Sequence, residues 1–172
     1  GGPDAGGGGG GSLNNGTNQV NTAGQHTSGG EVVIECLGQS CPPANIIYVN
    51  DDAAGANNGS SWTDAFTDLQ SALASTCPGI TQIWVAEGTY KPTTGTDRNI
   101  SFVMKNGVAI YGGFPNTGNP VFADRNADPV TNGTILSGDI DGDNTLANNS
   151  YHVISNDNNA LNATAVLDGF TI

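Results

Sequence analysis

Basic side chains are the scarcest resource of this 172-residue chain: Lys91, Arg98, Lys105 and Arg125 face 16 acidic residues, for a net charge of −12. A nucleic-acid-binding face needs clustered Lys and Arg, so that partner class is excluded. Attraction to an anionic membrane surface fails for the same reason. Membrane insertion is not expected either, because the sequence has no apolar run of about 18 residues. A basic stretch followed by an apolar one, the mark of a signal peptide, is missing from the start. The chain opens Gly1-Gly2-Pro3 without Met and stops inside a strand-like run, Gly169–Ile172. We therefore expect a processed product whose fold continues past Ile172. Cysteine is limited to Cys36, Cys41 and Cys77. No Cys-x-x-Cys and no His pair suggest a metal site. The expectation is an oxidising compartment, with a Cys36–Cys41 disulfide and Cys41–Cys77 as the alternative.

Glycine, in contrast, is abundant, with 26 residues concentrated towards the start, including the unbroken run Gly6–Gly11. Residues 1–30 cannot bury enough apolar surface to offset chain entropy and read as a flexible tail. If that arm is held, a neighbouring subunit, a partner chain or the solenoid's own flank must hold it. Residues 31–45 read as a linker with a short strand (Glu31–Glu35) and the Cys36–Cys41 loop. The globular unit is expected over 46–172, beginning with strand Ile46–Asn50.

Within it, one helix is expected from Ala65 to Ser75, capped by Ser61 or Thr63. Phe66, Leu69, Ala72 and Leu73 recur at helical spacing and form its apolar stripe. Trp62 is assigned to core packing beneath this helix, with an aromatic binding platform as the sharper reading. Ile83-Trp-Val-Ala-Glu-Gly-Thr-Tyr90 is a strand that ends at a glycine turn, with Ile83 and Val85 on one face. Related stretches start at Val108 and Thr134, spacings of about 25 residues that lie in the range of stacked repeats. Ala165–Ile172 is a third version, and His152–Asn156 a looser one. The segment 115–133 reads as a polar loop projecting from the stack. The fold class expected is all-β: a right-handed parallel β-helix, with an N-terminal capping α-helix and a Gly-rich tail.

Several motifs in order carry a resemblance: Tyr48-Val-Asn50, Gly59-Ser-Ser-Trp62, Leu69-Gln-Ser-Ala-Leu73, Ile83–Pro92, Ile110-Tyr-Gly-Gly-Phe114, Thr134–Asp139 and Val166–Ile172. Together, over 46–172, they resemble the N-terminal part of secreted parallel β-helix repeat proteins of the pectate-lyase-like superfamily, nearest to surface proteins of Bacteroidota-type bacteria. The resemblance implies secretion and surface display, with carbohydrate or a cell-surface molecule as ligand. A bacterial origin would leave the Asn-x-Ser/Thr sequons without N-glycans.

Three functions follow as expectations. The first is a structural or adhesive scaffold without catalysis in this region. The second is the leading part of a polysaccharide lyase or hydrolase. A lyase needs acids holding calcium and an Arg or Lys base, and a hydrolase needs a carboxylate pair. Asp51-Asp52 is adjacent in sequence but lies at the capped end, away from the expected substrate groove. The third is a filament subunit held by its glycine arm. The sharpest local site is Asp139-Ile-Asp141-Gly-Asp143-Asn144, whose alternate carboxylates can converge on calcium. It departs from an EF-hand, with Asn144 at position six and Ser150 at position twelve. Its plainer reading is a polar turn whose acids accept backbone hydrogen bonds.

Overall fold

The computed structural model describes residues 45–172, all within the second of the chain's two units, Leu37–Ile172. The glycine tail, the linker strand, and Cys36 and Cys41 lie outside the described residues. Cys77 is disulfide-bonded. No disulfide joins two described residues, and the expected pairings involving Cys36 and Cys41 fall outside them.

Strand β1 (Ile46–Val49) opens the fold. Helix α1 (Leu69–Ala74) follows, then β2 (Gln82–Ala86), β3 (Gly88–Tyr90) and β4 (Ala109–Phe114). A 3-10 turn (Phe122–Asp124), β5 (Thr134–Leu136) and β6 (Val166–Asp168) complete it. All pairings between these strands are parallel. β1, β2, β4 and β6 form a four-stranded sheet in that order, and β3 and β5 form a separate two-stranded sheet.

This arrangement corrects the expected fold class. Two open parallel sheets of four and two strands are present, and no closed solenoid runs through the described residues. The sequence repeats misled because they do not form one ladder. The Thr134 stretch pairs with β3, whereas the Val108 stretch pairs with β2 and β6. The partners Ile47, Ile83, Ile110 and Leu167 are also unevenly spaced along the chain. Elsewhere the contact shrinks to single bridges, Phe102 with Ile154 and Ile135 with Thr171. The stretch Ile83–Tyr90 is two strands, not one, and the break falls at Glu87-Gly88.

The helix is also shorter than expected, at six residues. Its cap is Asp68, whose Oδ1 accepts the Ser71 N–H at 2.6 Å. Phe66 is drawn instead into a parallel bridge with Val49, which removes it from helical geometry. Asp64, just before the expected helix start, accepts the Ala56 N–H at 2.8 Å and pins the preceding loop. At the other end, Lys105 Nζ donates to the Leu73 carbonyl at 2.6 Å, supplying a donor and a positive charge where helix carbonyls lack partners.

Period-two alternation divides the side chains of the larger sheet between two cores. One holds Ile47, Val49, Ile83, Val85 and Ile110 against Phe66, Leu69, Ala72 and Leu73. The other holds Trp84, Ala86 and Phe114 with Trp62. Trp62 therefore packs away from the helix cluster rather than beneath it. It is buried, and its indole N–H donates to the Pro120 carbonyl at 2.8 Å. Trp84 and Phe114 are stacked at 4.7 Å, and Phe122 from the loop lies 5.6 Å from Trp84. The segment 115–133 thus folds back over the sheet instead of projecting from it. Asn126 N–H to the Gly113 carbonyl (2.8 Å) and Arg125 Nε to the Gly112 carbonyl (2.5 Å) fasten it.

Candidate cation site

The acidic loop leaves β5 and is anchored by a buried Ile140. With that side chain turned inward, Asp139, Asp141 and Asp143 fall on the outward positions. Each offers one carboxylate oxygen, and the three lie within 4.8 Å of one another. Asp139 is half-buried, and the other two are exposed. The loop closes on Asp139. Its Oδ1 accepts the Gly142 N–H at 2.8 Å and its Oδ2 the Asn144 N–H at 3.1 Å. Both donors sit at positive φ, Gly142 at 76° and Asn144 at 57°, a region open to Gly and tolerated by Asn. Asp143 is engaged likewise, by the Thr145 N–H (2.8 Å) and hydroxyl (3.1 Å).

Asp139 is subject to opposing influences. Desolvation raises its pKa. The Asn144 and Gly142 N–H groups, a hydrogen bond with Asp141 and the charge of Lys91 outweigh that and leave it below the usual value. The Lys91 ammonium also lies 3.0 Å from where a Cβ on Gly142 would stand. Beside the trio is a cleft of about 220 Å³ lined by Gly95, Thr96, Ile140, Asp141 and Asn148. Chemically, the trio offers a hard cation three oxygens of the six to eight that calcium takes. Asn144 contributes its backbone N–H to Asp139, and the charge of Lys91 acts on that same carboxylate. Further along the chain, Asn148 borders this cleft, while Asp157 accepts the Ser155 hydroxyl at 3.2 Å.

Asp51 and Asp52 do not form a working pair. The Asp51 carboxylate fills the place of a Gly88 side chain, where a Cβ would meet Oδ1 at 2.4 Å. Desolvation, with repulsion from Asp52 as a lesser contribution, holds its pKa above the usual value despite a hydrogen bond from Thr89. Asp52 Oδ2 accepts the Asn116 amide at 3.1 Å. Nearby Tyr90 is buried and its hydroxyl donates to the Ala86 carbonyl at 3.1 Å; burial pushes its pKa far up.

Sequence reasoning missed where the bases go. Arg98 Nε donates to the Asn149 carbonyl at 2.6 Å, and its guanidinium lies 4.4 Å from the Tyr151 ring centre. Arg125 forms an ion pair with Asp168 at 2.8 Å and sits 5.1 Å from the Tyr111 ring centre. No local signal pointed to these contacts, because Tyr151, Asn149 and Asp168 lie far along the chain from the arginines that meet them. In comparison with known proteins, no family model, no curated protein and no solved structure matches the chain.

Proposed function

We propose that the chain is an extracellular, surface-associated structural or adhesive protein that is non-catalytic in this region, with a carbohydrate or cell-surface molecule as its ligand. The observation that carries this reading is the fate of the basic side chains. Lys105 caps the helix, Arg98 fastens the 149 segment and Arg125 straps the long loop to the sheet. A side chain held in that way is poorly placed to take a proton from a substrate, because a general base must be within hydrogen-bond reach of it. The disulfide at Cys77 supports an oxidising compartment.

The test is to incubate the purified protein with acidic and neutral polysaccharides, following ultraviolet absorbance for unsaturated products and new reducing ends. Retention of the protein on the same insoluble glycans and on whole cells is measured alongside. Retention without turnover is the expected result. Turnover that disappears on Lys91→Met or Arg98→Met would replace this reading with the polysaccharide-cleaving one.

A further inference from the structure

The sequence contains one Asp–Pro bond, Asp128–Pro129, in the exposed part of the loop between β4 and β5. The Val130 N–H donates to Asp128 Oδ1 at 3.0 Å, and the Thr131 hydroxyl donates to Oδ2 at 3.1 Å. The first of these bonds closes a ring across the Asp128–Pro129 peptide, so the carboxyl is folded back over the bond joining the two residues. The backbone carbonyl oxygen of Asp128 accepts two N–H groups, from Thr131 (3.2 Å) and Asn132 (3.0 Å). Two donors on one carbonyl oxygen stabilise the negative charge it acquires when its carbon is attacked. The Asn126 side chain braces the turn from both sides. Its Oδ1 accepts the Asp128 N–H at 3.1 Å and its Nδ2 donates to the Thr131 hydroxyl at 3.0 Å.

We propose that Asp128–Pro129 is a self-cleavage site at which the protonated Asp128 carboxyl breaks its own peptide bond. A carboxyl oxygen attacks the Asp128 carbonyl carbon and closes a five-membered ring. The carbonyl electron pair moves onto the oxygen held by the Thr131 and Asn132 N–H groups. Collapse of that species breaks the carbon–nitrogen bond, and the pair passes to the Pro129 nitrogen, which takes the carboxyl proton. A cyclic anhydride at Asp128 and a free secondary amine at Pro129 result. One water then opens the anhydride, so the sum is hydrolysis with nothing oxidised or reduced. Proline suits the leaving role because its ring nitrogen is fully alkylated in the peptide and carries no N–H. The two groups bonded to the carboxyl, the Val130 N–H and the Thr131 hydroxyl, are neutral. Of the charged residues in the same loop, Asp124 accepts the Val121 N–H and Arg125 is turned to Gly112 and Asp168.

The experiment holds the full chain at the lowest pH at which its circular dichroism stays native and follows intact mass under denaturing conditions. Expected are two pieces, one ending at Asp128 and one beginning at Pro129. They should appear at least about tenfold faster than in the same chain unfolded in guanidinium chloride at equal pH, because the turn supplies position and oxyanion donors. Asp128→Asn should abolish the reaction. Thr131→Val, checked for native circular dichroism, should slow it only in the folded state. Equal rates in folded and unfolded chains, or a folded chain that stays intact, would overturn the proposal.

Discussion

Asp51 carries an avoidable cost. Its carboxyl is partly desolvated against Gly88 and repelled by Asp52, so its folded-state pKa lies above the unfolded one. The native state then holds the proton more tightly, and stability falls as pH rises above about 4. Asp51→Asn is expected to stabilise the protein at neutral pH by less than about 1 kcal/mol, the group being partly solvated. The gain should shrink as pH falls towards about 4, as urea unfolding at two pH values would show. Gly113 has the opposite character. Its φ is 89°, and a Cβ there would stand 1.9 Å from the Asn126 carbonyl oxygen. Gly113→Ala must break the bond that fastens the long loop and should cost about 3 kcal/mol, read as a fall in Tm.

Helix α1 is too short to hold itself together, so its caps matter more than its propensity. Asp68→Ala removes the acceptor for the Ser71 N–H and should cost about 1 kcal/mol in chemical denaturation. Nothing in the sequence separated Asp68 from Ser61 or Thr63 as the cap. The choice falls on Asp68 because Phe66 is claimed by β1, a contact that propensity does not record. The acidic loop was more legible, since Asp139, Asp141 and Asp143 do converge. Lys91 was not, because its charge acts on Asp139 across the fold from just past β3. Lys91→Met should weaken the loop at low salt and less so at high salt, because the Lys91 charge acts on Asp139 through solvent-screened space. Thermal denaturation at two ionic strengths tests this.

For the molecule as a whole, the second core is the feature composition concealed. Both tryptophans are buried in it, with Phe114 fully buried against Trp84. Phe114→Ala should cost about 3–5 kcal/mol and red-shift the native tryptophan emission, by opening space beside Trp84. The alternation of β2 was readable because Ile83 and Val85 share one face, turned to the core that also holds the helix side chains. The division into two sheets was not. The change of ladder falls at Glu87, between β2 and β3, and beside it Gly88 has a φ of 153° and no room for a Cβ against the Asp51 carboxylate. Regular spacing of apolar stretches could not report which stretch meets which.

Parallel pairing has a further consequence for how the chain is made. Among the described residues no strand pairs with its immediate sequence neighbour by a tight turn; β3 acquires its partner only when Thr134–Leu136 arrives, and β4, already beside β2, gains its second neighbour only with Val166–Asp168. A chain emerging from its N-terminus can align β1, β2 and β4 early. It must then carry bare strand edges through the synthesis of some fifty further residues, at about 5–20 residues per second. During those seconds the strap of loop over Trp84 and the buried ends of β4 are what shield the growing sheet from neighbouring chains.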